Sequence, residues 1–417
     1  MKVLHAVTLH DPKGTFGGPV RVALNLARGL ADRGHEARLV ALADGFGRSL
    51  PTEVEGVPAR LYRARRVLPF GFSGLTSPAL LVRAGRLVRD ADLVHVHLAR
   101  DLVTLPVALA ALRAGTPLVV QPHGMVAPRT HTSARLLDGL AVRRVLRGAG
   151  RLLYLTDHER RDLARVARLD DQDTSVRATR LVNGVPAQEP ATPPAGPPRI
   201  LFAARLQERK RPRDFVAAAP EILRAHPDAE FVVAGPDEGE LTAVRELVTA
   251  LGLVHKVILP GALDAARMQT ELRRAHVYVL PSVDEPLPMS VLEAMAVGTP
   301  VVVTRSNGLA RDVERAGAGR VVDDADDIAA AVTALLDPAA RRAAAQAARD
   351  LVTGTYALDA VLDTLLAAYA EARRGLPAPA KDAGPERDTA PAKNAEPDRR
   401  PGPGRAPDAP RDPGPGH

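Results

Sequence analysis

The chain has 417 residues, 46% of them apolar and 25% charged, with a formal net charge of +7 and no cysteine. That length exceeds one ordinary core and predicts two domains plus extras, and the composition is that of a soluble globular protein. Without cysteine there are no disulfides or thiolate metal sites, which predicts a reducing, cytoplasmic setting. No window approaches the roughly 20 apolar residues of a membrane span, and no signal-peptide pattern precedes the first strand pattern at Met1 to His5. The positive balance suits anionic partners. Aromatic residues are only 3% and tryptophan is absent, which argues against a base-stacking platform and against an aromatic sugar-binding module. Small anionic ligands and lipid headgroups remain, with no nucleic acid expected.

Apolar runs at 3–7, 38–43, 92–97, 117–121 and 151–155 predict strands, separated by amphipathic segments such as 20–33 and 102–114. Strands alternating with helices imply βαβ units and a parallel sheet. Residues 186–198 carry six prolines in thirteen positions, which suits neither a central strand nor a helix interior and predicts a linker. A second series of strands follows at 199–204, 230–234, 256–259, 277–280, 300–304 and 319–322. Leu358, Val361, Leu362, Leu365, Leu366 and Tyr369 then recur at helical spacing and predict a last amphipathic helix. Beyond it, residues 375–417 hold eleven prolines and one large apolar residue, too little to offset their ordering entropy; a disordered, solvated spacer is expected. The predicted organisation is an α/β domain over 1–185, the linker 186–198, a second α/β domain over 199–352, a returning helix at 353–374, and the tail.

Three predicted strands end in loops that could carry chemistry. Lys13-Gly14-Thr15-Phe16-Gly17-Gly18-Pro19 follows the first, and its adjacent glycines would let backbone approach a ligand near the N–H groups of a helix beginning near Val20. It matches neither the dinucleotide fingerprint nor the Walker loop, and a simple turn explains it equally well. Gln121-Pro122-His123-Gly124 places a histidine at a strand's carboxyl end, where it could donate to a sugar hydroxyl or serve only as a capping or core residue. His95 and His97 share a strand face, but zinc needs a third protein ligand and none lies nearby, so they read as packed strand residues. Arg205-Leu206-Gln207-Glu208-Arg209-Lys210-Arg211 holds cations that suit a diphosphate, or a solvated basic loop.

The fourth loop is the most informative. After the strand at 277–280, Pro281-Ser282-Val283-Asp284-Glu285-Pro286-Leu287-Pro288 leads into a helix beginning near Ser290, and Gly298-Thr299-Pro300 ends that helix. Glu285 therefore lies in the loop and Glu293 about one turn into the helix, both at the carboxyl edge of a parallel sheet. Carboxylates repel phosphate but chelate paired hydroxyls. Arg205 and Lys210 holding a diphosphate, with Glu285 and Glu293 on sugar and ribose hydroxyls, describes a nucleotide-sugar site.

These residues resemble those of the retaining family 4 glycosyltransferases of GT-B fold, whose two Rossmann-like domains face each other across a cleft. The most specific element is Glu285-x7-Glu293, ending in Leu292-Glu293-Ala294-Met295-Ala296 and Gly298-Thr299-Pro300-Val301-Val302. Arg205 with Lys210, Gly17-Gly18, His123-Gly124 and Asn183-Gly184-Val185 follow the family's order, and the likeness covers about residues 1–373. The resemblance implies transfer of a hexose from a nucleoside-diphosphate sugar to a hydroxyl acceptor, with retention and without a metal or other cofactor. It implies that Arg205 and Lys210 stabilise the leaving diphosphate, that Glu293 binds the ribose, and that Glu285 faces the donor sugar. By the same resemblance His123 contacts the sugar's hydroxyls, while Gly17, Gly18 and the N–H groups of Met289, Ser290 and Val291 lie along the donor. One departure stands out: the family's Gly-Phe-Gly after the first glutamate is here Pro286-Leu287-Pro288, which removes backbone donors and stiffens the loop.

The implied partners are a nucleotide-sugar donor and a glycan or lipid-linked acceptor, in cell-envelope glycan, exopolysaccharide or glycolipid synthesis. Residues 129–168 carry ten arginines, which form a solvated face or a peripheral contact with anionic membrane. The competing readings are a non-catalytic membrane-associated binding protein of the same fold, a nucleotide-sugar epimerase, and a dinucleotide oxidoreductase. The last lacks its glycine fingerprint.

Overall fold

The computed structural model describes residues 1–12, 17–69, 71–129, 131–170, 177–191 and 195–375. Lys13 to Phe16, residues 192–194 of the expected linker and the proline-rich tail beyond Gly375 lie outside the described residues.

Two α/β units account for what is described. The first is built on strands β1 (Lys2–His10), β2 (Glu36–Ala43), β3 (Glu53–Val54), β4 (Val57–Arg63), β7 (Leu93–Val96), β8 (Leu118–Val120), β9 (Arg151–Tyr154) and β10 (Ala178–Arg180), with a small separate ribbon of β5 (Arg65–Arg66) and β6 (Leu75–Thr76). The eight run in the order β10-β9-β8-β7-β1-β2-β4-β3, parallel throughout except for the β3–β4 hairpin. The second sheet comprises β11 (Arg199–Ala203), β12 (Glu230–Ala234), β13 (Val257–Gly261), β14 (Val277–Leu280), β15 (Val301–Thr304) and β16 (Gly319–Val322). Its order is β13-β12-β11-β14-β15-β16, and every pair is parallel. The near-continuous Val/Leu/Ile runs fit this, because parallel strands covered by helices bury both faces; β11, β14 and β15 are buried along their whole length.

In each sheet the strand order reverses once, between β7 and β1 and between β11 and β14. Loops leaving neighbouring strands there diverge to opposite faces and open a crevice, the general ligand position in such sheets. Helix α1 (Gly17–Asp32) begins three residues earlier than the sequence pattern suggested, so Gly17 and Gly18 form its first turn rather than a loop before it.

The helix Leu358–Arg374 leaves the second unit and packs on the first, against α1, β8 and β9. Its stripe is filled by Val361, Leu362, Leu365 and Tyr369, all buried. Close approach is licensed by Gly29, where an added Cβ would lie 2.3 Å from Leu362 Cδ1, and the ends are pinned by Arg33–Asp363 and Arg151–Glu371 ion pairs, both at 2.6 Å. Among the described residues no helix is long and apolar enough to cross a membrane. Leu365 is fully buried, so Leu365→Ala should cost about 2–5 kcal/mol through lost transfer and a residual cavity. A urea midpoint equal to the parent's would mean that this helix adds nothing to the core.

Candidate functional site

The second sheet's switch point carries two loops. After β11, Ala204 N–H donates to Ala234 O and Leu206 N–H to Pro236 O, which fixes the start of the cation loop against the neighbouring strand. Arg205 then forks onto Glu238, with Nη1 3.0 Å from Oε1 and 3.1 Å from Oε2. Lys210 closes a single 3-10 turn, Glu208–Lys210, and is buried. Its ammonium donates to Glu285 Oε2 at 2.5 Å, and Arg209 Nη2 lies 3.4 Å from the same oxygen. Burial lowers the Lys210 pKa, Glu285 works to restore it, and the charges of Arg209 and Arg205 depress it again. A cation desolvated this far is poised for an anion that brings more charge than one carboxylate.

The loop after β14 is held mainly through its carbonyls. Ser282 O accepts from Thr304 Oγ1, Asp284 O from Arg209 Nη1, Glu285 O from Gly308 N–H and Leu287 O from Asn183 Nδ2. Gly308 must be glycine, since a Cβ there would fall 1.7 Å from Pro286 O. The helix Met289–Ala296 follows with Pro288 at its N-cap and no side-chain cap, so the first-turn N–H groups of Met289, Ser290 and Val291 have no capping side chain. Tyr278 OH donates to Ala203 O and pairs with Ser290 Oγ, both at 2.8 Å. Met289 and Val291 side chains are buried in the core, leaving only their backbone for a ligand. Glu293 faces the first unit, with Oε1 3.5 Å from Arg21 Nε on α1. Burial raises its pKa, Arg21 opposes this, and Glu55 reinforces it.

The first unit brings His123 to the same cleft. Its backbone is left-handed, φ +53°, and Gly124 follows at +76°. Glu159 on the helix Asp157–Ala167 accepts from Gly124 N–H at 2.5 Å and from Leu155 N–H at 2.7 Å, so one carboxylate ties the β8 and β9 loops together. A Cβ on Gly124 would lie 2.8 Å from Pro286 Cγ. The loops bearing His123 and Glu285 therefore touch across the cleft. Gly18, by contrast, has nothing within 4 Å of such a Cβ. A cavity of about 260 Å³ opens beside Glu293, lined by Arg21, Asn25, Arg28, Glu55 and Gln269 among others.

One expectation is corrected. A third histidine does lie beside His95 and His97: His5, with one ligand atom from each of the three within 4.8 Å of the others. It was invisible as a neighbour because β1 and β7 are adjacent strands, in register His5↔His95, although 90 residues separate them. Ring nitrogens are already committed, however: His97 Nδ1 to His123 Nε2 at 2.8 Å, His97 Nε2 to His5 Nδ1 at 3.2 Å, and His95 Nδ1 to Tyr369 OH at 2.8 Å. Two ring nitrogens, Nε2 of His5 and of His95, have no hydrogen-bond partner. Sequence reasoning also missed Glu238, Glu159 and Arg21, which carry no local motif.

Two family models match: glycosyl transferase 4-like domain over residues 17–178 and glycosyl transferases group 1 over 187–351. D-inositol 3-phosphate glycosyltransferase 2 of Catenulispora acidiphila is 30% identical over 80% of this chain and 85% of that protein. The chain belongs to the glycosyl transferases group 1 family. Another relative, 2-deoxystreptamine N-acetyl-D-glucosaminyltransferase of Streptomyces fradiae, is 31% identical over 83% of this chain and 89% of its own length. The crystal structure of Anabaena HepE in complex with UDP and glucose superposes with a TM-score of 0.70 and 18% identity, covering 89% of this chain and 99% of that one. That likeness carries the fold, which is GT-B: this glycosyltransferase has two Rossmann-like units, as the family resemblance implied.

Burial pushes His5 and His123 down to about 3 and holds His95 and His97 well below their ordinary value. The unfolded chain takes up these protons near 6.5 and the folded chain does not, so folding stability is complete above that pH and falls as pH drops below it. Each ring contributes at most about 1.4 kcal/mol per pH unit. The urea midpoint should fall steeply between pH 7 and 5, and His5→Phe should flatten that slope by about one proton; a parent profile flat over this range would contradict neutral burial.

Proposed function

We propose that the protein transfers a hexose from a nucleoside-diphosphate sugar to a hydroxyl acceptor with retention, and without a metal ion. The observation that carries this reading is the meeting of Lys210 and Glu285 at the switch point, with Arg205 beside them and His123 on the facing loop. Both cations are held by carboxylates, Lys210 by Glu285 and Arg205 by Glu238. A diphosphate entering between them would draw both cations onto its oxygens and leave the Glu285 carboxylate toward the sugar. Glu293, released from Arg21, would take the ribose hydroxyls.

As the bond to the anomeric carbon breaks, negative charge grows on the β-phosphate and positive charge on the sugar. Fixed cations aimed at the leaving group stabilise that state more than the ground state. The acceptor hydroxyl attacks from the face the diphosphate leaves, and the departing phosphate oxygen takes its proton. The relatives' names point to hydroxyl acceptors, among them D-inositol 3-phosphate and 2-deoxystreptamine; acceptors of a cell-envelope glycan, exopolysaccharide or glycolipid fit the same chemistry. A non-catalytic binding protein or an epimerase would share the fold but give no glycosylated product.

A lipid-linked acceptor is favoured by one surface. From Arg60 to Arg151 the sequence carries fifteen arginines, four aspartates and no lysine or glutamate. Two of those aspartates, Asp101 and Asp138, are buried. On the same side of the first sheet, helix α2 (Pro78–Arg89) exposes Leu81 and Val82, and the segment around Asp138 exposes Leu136 and Leu140. Exposed apolar residues among arginines suit an anionic lipid surface. The face is wider than the 129–168 stretch alone.

Assaying UDP-glucose, UDP-N-acetylglucosamine and GDP-mannose for transfer and hydrolysis tests the main reading. Arg205→Ala should lower turnover about 100- to 1000-fold, as loss of one group stabilising a developing anion does elsewhere; near-normal transfer would remove the phosphate role. The anomeric configuration of the product, read by NMR, decides retention. Separately, vesicles containing phosphatidylglycerol should bind the chain at low salt and release it at high salt, with Val82→Asp weakening capture. Equal binding to neutral vesicles would contradict the docking face.

A further inference from the structure

His5, His97 and His123 are joined end to end. His5 Nδ1 meets His97 Nε2 at 3.2 Å, and His97 Nδ1 meets His123 Nε2 at 2.8 Å. The His97 and His123 rings lie parallel within 5°, with centroids 5.1 Å apart. Burial keeps all three neutral at ordinary pH. A neutral imidazole has one N–H and one lone pair, so each contact needs a donor facing an acceptor. Only two registers satisfy both contacts. Either every ring carries its proton on Nδ1, or every ring carries it on Nε2.

The two registers differ at the ends of the chain. His5 Nε2 is buried and has no partner. In the Nε2–H register that atom is an orphaned buried donor, the rarer and more costly of the two faults; in the Nδ1–H register it is an unused lone pair. Among the described residues none hydrogen-bonds His5 Nε2, so the chain has no acceptor to relay a proton inward and stays in one register. At the other end, His123 Nδ1 belongs to a partly exposed ring on the cleft-facing loop whose Gly124 touches Pro286.

We infer that His5 and His97 are positioning residues that lock His123 as a neutral Nδ1–H donor facing the cleft. The inference rests on the proposed placement of the donor sugar there. An N–H at that point can bond a sugar oxygen through its lone pair, with no charge added. Without the lock His123 could present either a donor or an acceptor, and part of the population would meet the sugar with the wrong group.

The experiment is ¹⁵N-detected NMR of the full ligand-free chain, in which the two imidazole tautomers have distinct nitrogen shifts. His123, assigned by comparison with His123→Phe, is expected as the Nδ1–H tautomer in the parent. In His97→Phe, which keeps a ring but removes both contacts, a mixture of His123 tautomers is expected. KM for whichever of the three nucleotide sugars is turned over should rise about tenfold. His97→Asn keeps an amide N–H near the Nδ1 position and should restore both readouts in large part. Where His97→Phe fails to fold, His5→Phe supplies the second variant: with the terminal donor gone, His123 should again show mixed tautomers. An Nε2–H tautomer at His123 in the parent, or an unmixed Nδ1–H signal in both variants, overturns the inference. Absence of transfer from every nucleotide sugar would overturn the functional reading instead, leaving the tautomer result to stand by itself.

Discussion

A buried ammonium and a half-buried carboxylate, Lys210 and Glu285, hold the second unit's switch-point loops to each other. Burial disfavours the charged form of Lys210, and the attraction of Glu285 works against that loss. The pairing also fixes where each loop can go. Lys210 sits at the end of one turn of 3-10 helix, and Arg209 beside it bonds Asp284 O on the other loop. In the proposed reaction this pairing would keep Lys210 desolvated and close to where the diphosphate enters. Preorganisation of that kind is what makes electrostatic stabilisation effective, because nothing has to reorient as charge develops.

The first unit closes on this pair through three contacts. Gly124 meets Pro286, Asn183 bonds Leu287 O, and Arg21 reaches Glu293. The prolines explain why these contacts are so specific. A loop with Pro286 and Pro288 cannot offer N–H groups at those positions, and its carbonyls are already taken by Thr304, Arg209, Gly308 and Asn183. The first turn of the helix Met289–Ala296, which carries no side-chain cap, still has N–H groups to offer.

How much of this could be read in the sequence follows the range of each signal. The strands and the parallel architecture were legible because apolar runs and helical spacing are local. Arg205, Lys210, Glu285 and Glu293 were legible because each lies in a loop or helix start directly after such a run. The short strands at 53–63 were missed, since two- and seven-residue segments carrying Glu53, Arg60 and Arg63 lack an apolar run. Glu159, Glu238 and Arg21 act only through sheet order, which sets which loops are neighbours. His5 shows this best: nothing around it in sequence hints at His95, yet strand register places their rings 4.9 Å apart.

The two units divide the electrostatic task. The second unit supplies charge on the side where the diphosphate would leave. The first supplies His123, a half-buried residue whose desolvated imidazole is held down to about 3. In the proposed reaction positive charge grows on the sugar, and a cation at His123 would repel it. At 4 Å and an effective dielectric near 20, two unit charges interact by about 4 kcal/mol, enough to cancel much of what one leaving-group cation contributes. Keeping His123 neutral removes that opposition while retaining a hydrogen-bonding group. The same burial that makes the histidine cluster a liability in acid makes His123 a suitable neighbour for a cationic transition state.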